Sequence, residues 1–280
     1  MCNYWRDTLN EPDLAIIPMP AENTRPTVLC FAGLDPSGGA GLQADIETIA
    51  FHGGHALPIA TCLTVQNSVA AHSFEAVDEH IIEQQFYTLI EDIKISACKI
   101  SVIPNRAIAL CIAKLVQTLP NIPIIYDPVF AATNGSQFAE SDTIEDIKAN
   151  LLPHISVLTP NAKEINLLLN EVVTHTNQAS KLCALGPEFI LATNADSNTE
   201  QVHNSLLSNK GLLENYTYPR LAHHYHGSGC TLSAALAFML TQNFTIQQAA
   251  KYAQDYTYCA LQNAQSIGQG QWIPMRIYKN

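Results

Sequence analysis

Six short apolar runs constrain this chain most: TVLCFA (27–32), LPIATCLTV (57–65), ACKISVI (97–103), IPIIYDPV (122–129), ISVLTP (155–160) and EFILAT (188–193). Each is continuous rather than alternating, the pattern of strands covered on both faces. Stretches with helical character lie around them, at 40–52, 79–93, 105–118, 161–170 and 245–264. The last opens with Thr245 and Gln248 at capping-box spacing. Its apolar positions Ile246, Ala249, Ala250, Ala253, Tyr256, Ala260 and Leu261 follow a helical period. Alternation on this scale predicts an α/β fold with a central, mostly parallel sheet flanked by helices. Residues 1–26 read as an irregular N-terminal extension and 27–280 as one domain, with no internal repeat and no linker.

Composition narrows the function. Of 280 residues 47% are hydrophobic and 14% charged, which fits a packed globular chain. A formal net charge of -11 argues against partnership with nucleic acid or an anionic membrane. A small anionic ligand stays open, because glycine amides can bind phosphate without lysine. The 8 cysteines form no CxxC pair and most lie inside apolar runs, so reduced thiols are expected rather than disulfides or a zinc site. No apolar run has the length of a leader core or a membrane span, and the expected location is cytoplasmic.

Two glycine-rich junctions stand out. The first is GLDPSGGAGLQADIE, from Gly33 to Glu47, where a strand passes through a tight turn into a helix. It lacks the Gly-Lys-Ser/Thr of a Walker A loop and the GxGxxG of a dinucleotide fold. Asp45 falls on the flank of the apolar face formed by Leu42, Ile46, Ile49 and Ala50, and needs a partner if it is desolvated. It reads either as a ligand or as a structural carboxylate bonded to local amides.

The second junction is HGSGCTLSAALAFML, from His226 to Leu240. Unpaired amides at the start of this helix, with the helix dipole behind them, make an anion site. Cys230 has two readings. The same field would lower its pKa toward a thiolate, or it is a small residue opening a buried helix. Further polar residues collect where strands end, at Gln66, Asn67, Asp127, Asn161 and Glu164, the usual place for a ligand in a parallel sheet. His52-Gly-Gly-His55 has no third ligand nearby in sequence and reads as a solvated loop. His223, His224 and His226 read as exposed histidines or phosphate contacts.

Taken in order, GLDPSGGAGLQAD, LTVQN, YDPV, LTPNAKE and HGSGCTLSAALA resemble the phosphomethylpyrimidine kinases of thiamine biosynthesis, in the ribokinase-like superfamily. The resemblance runs from about residue 27 to about 264. It implies a three-layer ribokinase-like fold and ATP-dependent phosphorylation of hydroxymethylpyrimidine and then of its monophosphate, commonly in a homodimer. By motif match, Gly33, Asp45, Gln66 and Val129 would line the pyrimidine pocket. Gly227, Ser228 and Gly229 would form the anion hole, and Cys230 would be the base on the substrate hydroxyl. Asp127, Asn161 and Glu164 would lie near the nucleotide phosphates, with Mg2+ near Asp127 and Glu164, mainly through water.

Three departures accompany these matches. Where the family has Lys-Gly-Gly-His, this chain has Thr193-Asn194-Ala195-Asp196; where it has Lys-Ser-Gly, Thr133-Asn134-Gly135; and Lys-Ile-Gly-Met becomes Lys99-Ile100-Ser101-Val102. The first two remove cationic or flexible elements from the nucleotide side, and Lys163 is a candidate substitute cation. They motivate an alternative, a weak or inactive homologue that binds the pyrimidine phosphate. Within the same fold, a pyridoxine or pyridoxal kinase is a second alternative.

Overall fold

The computed structural model describes residues 25–131, 137–172, 178–194 and 199–278. Among these residues nine strands form one sheet in the order β3-β2-β1-β4-β5-β6-β7-β8-β9. They are β1 (Thr27–Leu34), β2 (His55–Gln66), β3 (Ala71–Ala76), β4 (Ala97–Ile100), β5 (Ile124–Tyr126), β6 (Val157–Leu158), β7 (Phe189–Ala192), β8 (Gln201–Ser208) and β9 (Gly211–Pro219). All six apolar runs of the sequence are strands, and they pair in parallel from β2 to β7. β3, β8 and β9 extend the two edges in antiparallel pairing. A search for continuous apolar runs passes over these three, because one face of each meets water; in β9, Leu212–Asn215 are exposed and only Tyr216 and Tyr218 turn inward.

The described helices are α1 (Gly41–Phe51), α2 (Glu79–Asp92), α3 (Arg106–Val116), α4 (Ser141–Asp146), α5 (Ala162–Leu169), α6 (Gln178–Cys183), α7 (Ser228–Leu240) and α8 (Ile246–Gln262). The sequence pattern did not mark the short α4 and α6. Local capping fixes several starts: the Asp78 carboxylate accepts from His80 N, and the Asn105 side chain accepts from Ile108 N. The Thr245–Gln248 capping box of α8 is formed. Among the described residues no helix is long and apolar enough to cross a membrane.

Strand alternation divides the core into two layers. Leu29, Phe31, Cys98, Ile100, Tyr126, Leu158 and Ile190 face α2 to α6. Val28, Cys30, Ala32, Ala97, Ile125, Val157 and Leu191 face α1, α7 and α8. The same period puts Lys99, two after Ala97, and Asp127, two after Ile125, on the α1 and α7 side. Cys230 to Met239 of α7 are all buried, so this helix is covered around its whole circumference, and apolar except at Thr231 and Ser233.

Two readings change. The buried face of α1 is Leu42, Ala44, Asp45, Thr48 and Ile49, whereas Ile46 and Ala50 are exposed. Asp45 therefore sits in the middle of the packed face rather than on its flank. His52 is not in a solvated loop, because its ring packs 4.5 Å from Tyr256 and 5.5 Å from Phe238, centre to centre. Burial holds it down to about 4, as a neutral ring. Residues 1–24, most of the proposed extension, lie outside the described residues, as do Thr133-Asn134-Gly135 and Ala195-Asp196. Arg25 anchors the entry to β1, donating to the carbonyls of Gly53 and Gly54 at 3.2 and 3.0 Å.

Candidate active site

The β1–α1 turn folds back on the strand that feeds it. Gly41 has φ +56, and a side chain there would meet the Gly33 carbonyl oxygen at 2.1 Å. Asp35 organises the turn: its carboxylate accepts from Ser37 N and Ala40 N, each at 2.8 Å. It also bonds His226 Nε2 at 2.8 Å, tying the first junction to the second. Burial pushes the Asp35 carboxyl up, but the His226 bond and the Ser37 contacts outweigh it and hold the group well below the carboxylate range. Local sequence marks the Asp35 turn through its Asp-Pro-Ser-Gly spacing. Its pairing with His226 had no local signal.

At the second junction Gly227 caps α7 in the left-handed region, φ 80 and ψ 21, and the helix carries no side-chain cap among the described residues. The first helical bond runs from Thr231 N to Gly227 O at 3.0 Å, so the amides of Ser228, Gly229 and Cys230 have no partner within the helix. Gly229 passes close to Asp127: a side chain there would lie 3.5 Å from Oδ2. The Ser233 hydroxyl donates to the same oxygen at 3.2 Å.

Below these amides lies a buried charge cluster. Lys99 and Asp45 are each 0% exposed, and Lys99 Nζ stands 2.9 and 3.1 Å from the two Asp45 oxygens. An unpaired carboxylate at this depth is costly, and the ion pair is what allows Asp45 to be buried. Burial pulls the Lys99 ammonium down, but Asp45, Cys230 and Asp127 outweigh it and keep it charged. Burial raises Asp127, against the pull of Lys99. Lys99 is the residue that sequence reasoning undervalued. Its signal was present, since a lone lysine inside the apolar run ACKISVI needs a buried partner.

Cys230 sits at the edge of this cluster. Burial pushes its thiol up to about 11, Lys99 pulls it down, Asp127 and Asp45 push it up, and a hydrogen bond from the Gly41 amide lowers it. The expected thiolate character is therefore not the resting state. Loss of water around the sulfur outweighs the cations and dipoles that favour its charged form.

The residues expected to line a pyrimidine divide. Gly33 lies against Cys62, with 3.0 Å between its missing Cβ and the sulfur, and Val129 packs on the same small cluster of Cys62, Val102 and Phe138. Gln66 ends β2 opposite Ala71, half-buried, next to the turn that Asn67 closes by accepting from Val69 N and Ala70 N. Asn161 and Glu164, expected beside the nucleotide, form a capping box for α5. The Asn161 side chain accepts from Lys163 N and Glu164 N, and Glu164 Oε2 accepts from Asn161 N at 2.8 Å. Asn161 also bridges to Thr193. The Lys163 side chain is exposed.

The segment after α8 was absent from the sequence reading and closes the site from behind. Trp272 N donates to His224 O and His226 N to Trp272 O, each at 2.9 Å, and the Trp272 ring stacks on His223 at 3.8 Å. Buried Arg276 reaches both junctions.

The layered sheet, with glycine junctions gathered at its strand ends, is the architecture of the ribokinase-like small-molecule kinases. An ADP complex of Bacillus subtilis pyridoxal kinase superposes with a TM-score of 0.81, covering 90% of this chain and 98% of that one at 24% identity. The chain belongs to the phosphomethylpyrimidine kinase family, whose model matches residues 35–275. It is 31% identical over 257 residues to the hydroxymethylpyrimidine/phosphomethylpyrimidine kinase of Mycobacterium tuberculosis, covering 90% of this chain and 94% of that protein. It is 28% identical over 251 residues to a probable thiamine biosynthetic bifunctional enzyme of rice, covering 88% of this chain but 46% of that protein, so it spans about half of the rice enzyme's length.

Proposed function

We propose that this protein is an ATP-dependent kinase that phosphorylates 4-amino-5-hydroxymethyl-2-methylpyrimidine and then its monophosphate, for thiamine biosynthesis. The observation that carries the reading is the glycine-capped start of α7, which leaves the amides of Ser228, Gly229 and Cys230 without helical partners beside Asp127. Phosphoryl transfer asks chiefly for positioning and charge neutralisation, and these amides would stabilise charge on the moving group. Gly33, Asp45, Gln66 and Val129 would frame the pyrimidine, with Asp45 held in place by Lys99.

Cys230 would take the proton of the substrate hydroxyl. Its thiol rests protonated, so only the thiolate fraction is active, and that fraction grows with pH. Asp127, Asn161 and Glu164 would face the nucleotide phosphates. The oxygen-rich pair Asp127 and Glu164 suits Mg2+, a hard cation that keeps much of its water. Asp127 already accepts from Ser233, and Glu164 from Asn161 N, which favours contact through water over direct ligation. The metal would neutralise phosphate charge. A homodimer of single-domain cytoplasmic subunits completes the proposal.

A second reading is favoured by two observations: Asn161 and Glu164 bond to each other, and Thr193-Asn194 stands where the family carries its lysine. A pyrimidine-binding protein without turnover would fit. Pyrimidine-dependent ADP release, with calorimetric titration of Mg-ATP in the presence and absence of hydroxymethylpyrimidine, separates the two. ADP release excludes the second reading, and pyrimidine binding without ATP consumption overturns the first. Pyridoxal run in the same coupled assay tests the remaining substrate assignment.

A further inference from the structure

Arg276 is 1% exposed and heads the fully buried side chains by volume. A guanidinium at that depth is tolerated only where its donors find acceptors. Its Nε donates to Thr231 Oγ1 at 2.9 Å, and Nη1 lies 3.1 Å from Glu47 Oε2 and 3.4 Å from Gly38 O. Its Nη2 donates to the Gly39 carbonyl. Each of these partners belongs to one of the two glycine junctions or to the helix that follows it.

The contacts converge on the anion hole. Thr231 Oγ1, which accepts from Arg276, donates to the Gly227 carbonyl at 2.8 Å. A side chain on Gly227 would lie 2.1 Å from Gly39 O and 2.9 Å from Arg276 Nη2. The first residue of the hole therefore rests directly on the carbonyl–guanidinium contact. The segment that carries Arg276 is itself held, by Met275 N on Ala260 O at 3.0 Å and by the Tyr256 hydroxyl on Arg276 O at 2.8 Å.

We infer that Arg276 is a positioning residue for phosphoryl transfer, clasping the Gly38–Gly39 turn to the start of α7. This deepens the kinase reading and rests on it. The guanidinium turns the Gly38 and Gly39 carbonyls toward itself, so that their negative ends do not oppose an incoming phosphate. Arg276 also holds a guanidinium, partly offset by its Glu47 ion pair, behind the α7 amides. A planar fork can bridge Thr231, Glu47 and two carbonyls at once, and an ammonium cannot.

The test compares wild type, Arg276→Met and Arg276→Lys in pyrimidine-dependent ADP release, with folding followed by thermal melting. Arg276→Met is expected to lose about tenfold or more in kcat while KM for hydroxymethylpyrimidine changes less than about threefold, since the hole acts on the transition state. Millimolar guanidinium chloride should restore part of that kcat, and Arg276→Lys should fall between. A folded Arg276→Met with wild-type kcat, or one that guanidinium does not rescue, overturns the inference. If Arg276→Met does not fold, Thr231→Val carries the test, because it breaks the link to Gly227 while leaving the arginine. Its expected result is the same kcat-selective loss, and an unchanged kcat overturns the inference. Absence of turnover in wild type counts against the kinase reading alone. The clasp is then read from inorganic phosphate, expected to raise the melting temperature of wild type more than that of Arg276→Lys, with equal protection overturning it.

Discussion

Two helices, α5 and α7, begin beside the carboxyl ends of the parallel strands, and they treat their first amides in opposite ways. α5 closes its own start: Asn161 accepts from Lys163 N and Glu164 N, and Glu164 reaches back to Asn161 N. α7 begins at a left-handed glycine and carries no side-chain cap among the described residues. A side-chain cap contributes about 1 kcal/mol to a helix of this kind. With glycine at the cap position α7 forgoes only a few tenths of a kcal/mol of that, and it derives its stability from a fully buried body, Cys230 to Met239. The difference shows where a fold can leave donors open for a ligand: at the element whose packing makes its cap dispensable.

Predictions follow from breaking each side of this contrast. The largest effect belongs to the open start. Cys230→Ala should lower turnover by about 100-fold or more, the usual contribution of a positioned base, and cost only about 1 kcal/mol in folding. In wild type, kcat/KM should climb about tenfold per pH unit between neutrality and pH 9, because the thiol is pushed up to about 11. A flat profile, or full turnover in the mutant, removes the cysteine from the mechanism.

Next comes Gly227→Ala. Its left-handed backbone should cost a side chain about 1–2 kcal/mol, and the new Cβ would meet the Gly39 oxygen at 2.1 Å. Loss of about tenfold or more in kcat is expected along with a lower melting temperature. A loss of stability with unchanged kcat would show that the start of α7 has no part in the reaction.

Asp35→Asn should remove about 1–2 kcal/mol at neutral pH, since Asp35 holds both the β1–α1 turn and His226. The folded-state pKa is depressed, so the stabilisation is present above about pH 4, the ordinary carboxylate value, and fades as pH falls below it toward the folded value. Denaturant melts of both proteins should show the gap narrowing from pH 7 to pH 3 without closing, since the rest of the loss lies nearer the folded value. The smallest effect falls on the closed start. Asn161→Ala should cost about 1 kcal/mol in urea melts. Glu164→Gln keeps an acceptor for Asn161 N and should spare stability, so any rise in its Mg2+ requirement reports on the phosphates and not on the cap.

Much of this was legible in sequence. The six parallel strands announce themselves because both faces of each are covered, and the two junctions because glycine has few other reasons to recur at a strand–helix boundary. The edge strands β3, β8 and β9 were hidden by their solvated faces. At the site, single residues such as Cys230 and Asp127 could be pointed to, but their protonation could not. That depends on burial and on Lys99, whose side chain meets Asp45 across 54 positions of chain. Arg276 gave no signal, because nothing in Trp272–Tyr278 betrays which distant carbonyls its guanidinium meets.

The clasp also bears on the order in which the molecule assembles. Arg276 and Gly38 are 238 positions apart, and His226 and Asp35 are 191 apart, whereas β1 and β2 need only a short crossover. Contacts that close such long loops carry the larger entropic cost and form late. The sheet and the apolar layer beneath α2 to α6 are then expected to organise first, with α7, its amide start and the clasp docking last. Pulse-labelling hydrogen exchange during refolding would show this as protection of the β1 and β4 amides well before that of Thr231.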